Sequence, residues 1–538
     1  VKKKTIVALV LLSTFIAGVL PPAFAEEDTS VLITPNGAVR EVSGSCYHVQ
    51  FKDVQFLVDC GQFYPDGEPD GGGSFEEAER MVSEKDKMFT FEPDKIDFLL
   101  VTHAHLDHIG RIPLLKKMGF NGPVYCTQAT KELSGIMLAM AYQYNDLGVE
   151  DFVKSKRSDV VHSHPLCSWR NKIAERNLKH VKMNRVDVAE RGWRICKECA
   201  RRESDELLEL FQTYPYRTHF SPAEGITIEF YNAGHIPGAA SILVELGSGA
   251  GEKTLLFSGD LGNDLSPIVP EPTPPEFAEY VFIESTYGDV VRPVPDVSYK
   301  DFKEEIGNDI RSNKIIWIPA FVLDRTQKVL VEICEGKEDG IIPYEAPIYV
   351  ASSWAKEITE AYDGWYCGED RSFLRPEIYR LNTSPFDHSG LNYSYPPKGA
   401  DGPYIFLSST RIMDYEFFRD VLKERLSDPQ TTIVFVGYMD EQTVGGKIKK
   451  AAESRQKHIE LDGDRIKLKC KVKYFSEFSG HADARELVEW VSSIDGVEKI
   501  FIVHGEEKSA VALKSRLERH LPEADVIIPE QYTTFTIH

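Results

Sequence analysis

The segment Thr102-His103-Ala104-His105-Leu106-Asp107-His108 constrains this chain more than any other stretch of its 538 residues. Three imidazoles and a carboxylate fall within six positions, directly after the nearly continuous apolar run Ile96 to Val101. Such a run reads as a strand covered on both faces, and Ile109 to Met118 after it reads as a helix. Core packing explains an isolated histidine well, but not a cluster this dense at the end of a strand. In a tight strand-to-helix loop, alternate side chains converge on one point while their neighbours reach a second, so one loop can serve two metal ions. Imidazole and carboxylate together suit zinc, with manganese or iron compatible with the same ligand types.

Other strands end in the same way. Val54 to Asp59 runs into Cys60-Gly61, Ile226 to Tyr231 runs into Asn232-Ala233-Gly234-His235, and Thr254 to Phe257 runs into Ser258-Gly259-Asp260. Each places one polar side chain at a strand end, where α/β folds build their sites. His235 and Asp260 are therefore candidate ligands, Asp260 able to bridge two ions through its two oxygens. Asp59 is better placed to accept a hydrogen bond that orients a ligand or the attacking water. A further strand, Tyr280 to Ile283, closes on Glu284. After the prolines near 293 and 295 a fresh α/β pattern begins, with helices at Asp301 to Arg311 and Arg325 to Cys334. Its strands fall at Ile315 to Ile318, Ile348 to Val350, Tyr404 to Leu407 and Thr432 to Val436. This pattern reads as a second layered domain.

Asp59, the His103 to His108 loop, His235 and Asp260 resemble, in order and context, the first four motifs of the metallo-β-lactamase superfamily. The next good metal-binding candidate, His504 in Phe501-Ile502-Val503-His504-Gly505-Glu506, stands 244 residues beyond Asp260. That gap resembles the β-CASP nucleases, a group including ribonuclease J and the endonuclease subunit of the cleavage and polyadenylation machinery. Glu284 in Glu284-Ser285-Thr286-Tyr287-Gly288, His481 in Phe478-Ser479-Gly480-His481-Ala482-Asp483, and His504 match that group's three motifs. The resemblance implies an αββα sandwich with an inserted α/β β-CASP domain. Its expected order is a first sandwich part over 26–290 with a basic insert at about 150–213, the β-CASP domain over 291–445, and a closing part over 446–538.

The resemblance also implies a ligand set. His103, His105 and His235 would hold one zinc, Asp107, His108 and His504 the other, with Asp260 shared. Asp59, Glu284 and His481 would be the catalytic residues around them. Water activated by two cations would attack phosphorus in line, and His481, oriented by Glu284, would contact the scissile phosphate or protonate the departing 3′ oxygen. The products would carry 5′-phosphate and 3′-hydroxyl ends. One stretch departs from the group: where many members are glycine-rich, this chain has Ser408-Ser409-Thr410-Arg411-Ile412-Met413-Asp414-Tyr415.

Net charge opposes indiscriminate coating of nucleic acid, at −22 for the whole chain. Two local stretches run against it. Residues 154–202 hold 14 Lys and Arg against five Asp and Glu, with Trp169 and Trp193 nearby, and residues 447–473 hold ten against four. These patches suit a single-stranded RNA partner, although a solvated helical face explains the first equally well. A DNA nuclease or a small-molecule ester or lactone hydrolase on the same fold is the first rival reading, and a non-catalytic nucleic-acid-binding scaffold the second. Self-association into a homo-oligomer is left open.

The N-terminus carries Lys2-Lys3-Lys4, an apolar run from Ile6 to Leu20, and an Ala-x-Ala end at Ala23-Phe24-Ala25. This is the pattern of a signal peptide over 1–25, cleaved after Ala25, so the expected destination is the periplasm or the medium, with no stable membrane association afterwards. If that pattern is misread, the chain is cytoplasmic. Of nine cysteines, Cys46, Cys60 and Cys126 read as core thiols. Cys167, Cys196 and Cys199, near His162, His164 and His180, could form a disulfide, remain thiols or hold metal. Their spacing lacks paired Cys-x-x-Cys units, so two zinc ions are expected and a third, structural one is not.

Overall fold

In the computed structural model, the described residues are 30–64, 84–144, 197–292, 299–368, 372–387, 390–397, 399–400, 402–408, 416–437, 443–461 and 463–537. Two seven-stranded sheets lie face to face. The first runs, edge to edge, through Phe535–Ile537, Val31–Pro35, Tyr47–Phe51, Val54–Val58, Phe98–Leu100, Val124–Cys126 and Phe211–Thr213. The second runs through Asp525–Ile527, Lys499–Val503, Tyr280–Glu284, Lys253–Phe257, Ala240–Leu246, Ile226–Asn232 and Phe220–Ala223.

Strand periodicity explains the layering. Phe56 and Val58 point between the sheets to meet Phe230, Ile242, Phe257 and Phe282, while Leu57 faces the other way, toward the helical layer. Phe282 is the hub of the inner layer, stacked 4.5 Å from Phe257 and 4.6 Å from Phe501. Cys46, Cys60 and Cys126 are buried free thiols, as their apolar contexts suggest.

The helix expected over Ile109 to Met118 is instead two short ones, Leu106–Ile109 and Ile112–Lys117. Helical turn thus begins inside the histidine segment. Pro113 starts the second helix because its missing N–H is tolerated only in a first turn. At the break, the Arg111 N–H turns away to donate to the Cys60 carbonyl at 2.9 Å, tying the loop to the strand that carries Asp59.

A third sheet comes from the chain between Glu284 and Lys499, its strands ordered Leu391–Asn392, Ile348–Val350, Tyr404–Ser408, Ile315–Pro319, Thr431–Phe435 and Lys471–Tyr474. All its pairings are parallel. Ile316, Ile318 and Val434 face one helical layer with Phe302 and Leu330, and Trp317, Ile433 and Phe435 face the other with Leu422 and Ile448. The sheet takes in Lys471–Tyr474 and so extends past residue 445, where the sequence reading closes the inserted domain. Strands Tyr280–Glu284 and Lys499–Val503 pair directly, Glu284 opposite Val503, so the whole third sheet is inserted between two neighbouring strands of the second. That register sets Glu284 beside His504.

The arrangement is an α/β fold: an αββα sandwich with an inserted α/β domain. Among the described residues no helix is long and apolar enough to cross a membrane. Phe282→Ala, which empties the hub of the inner layer, is expected to cost about 3–5 kcal/mol of folding stability. Denaturant unfolding of the two proteins measures it, and a loss near zero would contradict this account of the core.

Candidate metal centre

Five strand ends of the sandwich open at one rim, and each delivers a polar group there. Asp59 follows Val54–Val58, His103 follows Phe98–Leu100, His235 follows Ile226–Asn232, Asp260 follows Lys253–Phe257, and His504 follows Lys499–Val503. Two groups form. His103, His105, His235 and Asp260 offer ligand atoms within 4.8 Å of one another, and so do Asp107, His108 and His504. Asp260 joins them: its Oδ2 lies 3.5 Å from His103 Nε2 and 3.6 Å from His235 Nε2, and its Oδ1 lies 3.3 Å from His108 Nε2.

Neighbouring hydrogen bonds fix how the rings are presented. Asp59 Oδ2 accepts from His108 Nδ1 at 2.6 Å, and the Gly480 carbonyl accepts from His235 Nδ1 at 2.9 Å. In both rings the Nε2 lone pair is thereby turned inward. Asp59 is itself held by the Thr102 N–H at 2.8 Å and the Ser45 hydroxyl at 3.2 Å. Its backbone φ of 59° lies in the left-handed region, as does that of His504 at 46°. Strain of this kind persists only where surrounding bonds over-determine the position. Here the Asp59 N–H donates to the Leu100 carbonyl and the His504 N–H to the Ala38 carbonyl. Close backbone approach is also needed at Gly61, where a Cβ would collide with the Asp107 carbonyl.

Ligand nitrogens crowd one another in this cluster. His105 Nδ1 faces His103 Nε2 at 3.0 Å and His235 Nε2 at 3.1 Å, and His108 Nε2 faces His504 Nε2 at 3.1 Å. Nitrogen lone pairs at such distances need something positive between them. Asp260 Oδ1, wholly buried, has no hydrogen-bond partner. Divalent metal among these donors answers both, and the imidazole and carboxylate donors suit zinc.

The electrostatics agree. Burial drives His103 and His235 well below the usual imidazole range, reinforced by His108 and His481 respectively. Burial opposes protonation at His108 too, but Asp260 and Asp59 overcome it and push this ring well above the range. At His504 burial is likewise outweighed, by Asp260 and Asp107. Asp260 goes well below the carboxylate range because His504, His108 and His103 outweigh its burial.

The remaining pair stands against the first group. His481 Nδ1 lies 3.1 Å from Glu284 Oε1 and 3.9 Å from Asp260 Oδ2. Glu284 is fully buried and accepts the Leu261 N–H at 2.8 Å and the Thr286 N–H at 3.2 Å. His481 keeps about a fifth of its side-chain surface exposed, so solvent and substrate can reach it. All ten residues singled out in the sequence thus converge on one rim.

Sequence reasoning missed the holders. The Thr102 hydroxyl touches Asp59, His103 and His108, and the Thr286 hydroxyl touches His504. Asn263 Nδ2 donates to the Ser479 carbonyl at 2.6 Å and to that of His481, which also accepts from Arg292. Thr102 and Thr286 adjoin motif residues and were legible as neighbours, whereas Asn263 and Arg292 carried no signal of their long-range partners. In the first basic stretch, the described Lys197 and Arg201 pair with Glu357 and lie over the Trp354 ring. They tie the sandwich to the inserted domain. Residues 150–196 of the insert, with Cys167 and Cys196, the signal segment, and the 409–415 departure lie outside the described residues.

Three family profiles match the chain: "Metallo-beta-lactamase superfamily" over residues 39–306, "Beta-Casp domain" over 326–448, and "Zn-dependent metallo-hydrolase RNA specificity domain" over 465–529. Among curated proteins, the chain is 30% identical to Ribonuclease TTHA0252 of Thermus thermophilus, over 89% of this chain and 94% of that protein. It is 27% identical to Transcription termination factor FttA of Methanosarcina mazei, over 92% of this chain and 70% of that one. It is also 27% identical to Cleavage and polyadenylation specificity factor 73 of Drosophila melanogaster, over 93% of this chain and 63% of that one.

Because protons and cations compete for His108 and His504, cation binding is expected to release protons and to weaken as pH falls from 8 to 6. The raised rings stay protonated to higher pH, so acid favours the metal-free form. Chelator competition across that range, with calorimetry in two buffers to count protons, checks the sign; pH-independent affinity without proton release would contradict it.

Proposed function

The chain belongs to the β-CASP ribonuclease family of the metallo-β-lactamase superfamily, and from that membership we propose that it hydrolyses phosphodiester bonds of RNA with two zinc ions. The observation that carries this reading is the Glu284–His481 pair, seated beside the metal groups by an entire inserted domain. A site for small esters needs only the metal groups. A second acid–base pair, with Glu284 buried and His481 about a fifth exposed, suits a substrate whose leaving group must be protonated.

His103, His105 and His235 would hold one ion and Asp107, His108 and His504 the other, with Asp260 between them. Bound zinc supplies Lewis acidity, making water nucleophilic near neutral pH and offsetting charge on the non-bridging phosphate oxygens. The protein's own part is orientation and proton handling. Glu284 holds His481 by Nδ1, which leaves Nε2 to meet a phosphate oxygen or to hand a proton to the departing 3′ oxygen. Asp59, through Thr102 and His108, keeps the ligand rings from turning. The products are then a 5′-phosphate and a 3′-hydroxyl.

The RNA specificity profile over 465–529 and the ribonuclease relative support RNA over DNA. We further infer, from the residues of the 1–25 signal pattern, that the enzyme acts outside the cytoplasm. Fractionation of the full chain checks this, and cytoplasmic protein with Ala25 uncleaved would refute it.

With end-labelled single-stranded RNA and zinc, the chain is expected to yield 5′-phosphate products, and His481→Ala to lose about 10²–10⁴-fold in kcat while keeping its full zinc content. Intact RNA alongside turnover of an ester reporter would favour the small-molecule reading instead. Fewer than two zincs per chain would sink the two-ion centre.

A further inference from the structure

The third sheet ends its parallel strands toward the metal rim, and Tyr474 is the last residue of its edge strand, seven residues before His481. It is 39% exposed, unusual for a large aromatic ring beside a catalytic cleft. The Lys449 ammonium lies over that ring, 3.9 Å from its centroid, and makes a long ion-pair contact of 3.9 Å to Glu453. Between Tyr474 and His481 the alternation of ring and cation continues. Tyr287 stands 6.0 Å from the His481 ring and nearly perpendicular to it, and the Arg292 guanidinium lies 5.1 Å from the Tyr287 ring. Arg325 is near enough to both tyrosines to act on each electrostatically. Burial and Tyr287 raise the Tyr474 phenol, against the pull of Arg325 and Arg292, so these four groups share one neighbourhood.

A partly exposed ring backed by a cation, outward of a phosphodiester-cleaving centre, offers what a single strand needs: a face for a base with a positive charge behind it. In a chain of net charge −22, a cationic path must be local to attract a polyanion at all. Lys449 belongs to the second basic stretch, residues 447–473, in which Lys471 and Lys473 are paired with Glu305.

We propose that Tyr474, with Lys449 behind its ring, is a stacking platform for a nucleobase of the RNA strand, reached from the scissile phosphate past Tyr287. The proposal rests on the RNA reading above. Tyr474 is a binding residue, not a catalytic one, so its loss weakens substrate capture and leaves the chemical step alone. The ring carries the effect, and the hydroxyl does not.

The test compares zinc-loaded full chain with Tyr474→Ala and Tyr474→Phe, on an end-labelled single-stranded oligoribonucleotide and on a nitrophenyl phosphodiester too small to reach the platform. Tyr474→Ala should raise KM for the RNA about tenfold with kcat unchanged. Tyr474→Phe should match the parent, and all three should turn over the small diester equally, which also certifies their fold. RNA cleavage by the parent with the same KM in Tyr474→Ala would overturn the platform alone, as would equal damage in both variants. A parent that turns over the diester but leaves RNA intact would overturn the RNA reading, and the platform with it.

Discussion

Asp260 is a carboxylate taken almost wholly out of water, with histidine nitrogens on every side and one oxygen that no proton donor satisfies. An isolated charge in such a place costs several kcal/mol, and only compensating positive charge makes it tolerable. Every other feature of the rim follows from that requirement. Seven candidate ligand side chains come from separated parts of the chain, and neighbours such as Asp59 and the Gly480 carbonyl hold His108 and His235 with their lone pairs inward.

The cost of holding them is met elsewhere in the molecule. Asp59 and His504 sit in left-handed backbone, and Gly61 and Gly480 lie where no side chain would fit. None of these positions is stable alone. They persist because the inner layer of the sandwich, with Phe257, Phe282 and Phe501 stacked at its centre, fixes the strands whose ends they occupy. Strain at the rim and close packing between the sheets are two parts of one arrangement.

The inserted domain is bound to that rim and not merely tethered near it. Asn263 and Arg292 both donate to the His481 carbonyl, and the Tyr299 hydroxyl donates to the Leu265 and Glu477 carbonyls. The Arg375 N–H reaches the Ile268 carbonyl across the same junction. Because Glu284 leaves the sandwich and His481 returns to it, the hydrogen bond between them closes the insertion at its base. The Glu284–His481 pair and the candidate metal groups are therefore held in one fixed geometry.

Local chemistry made much of this legible in the sequence. The His103 to His108 loop, His235, Asp260 and His504 each follow an apolar strand, and strand ends are where a sheet presents side chains to a ligand. Continuous apolar runs likewise revealed four of the third sheet's six strands, because those four are covered on both faces. What sequence could not supply was anything depending on distance through space. It merged two short helices into one because Arg111 turns toward Cys60, a contact 51 residues back in the chain. It left the first basic stretch open between an RNA surface and a solvated helical face, and only distant partners show that its Lys197 and Arg201 are engaged by Glu357 and Trp354. It gave no sign that Tyr474 pairs with Phe435 at the edge of the third sheet or that Lys449 lies over its ring. The identity of the ligands was therefore fixed by residue type and local order, while their tautomers, their strain and the path to them were decided by tertiary contacts. Hydrogen bonds and charges act over a few ångströms of space, whatever the separation along the chain.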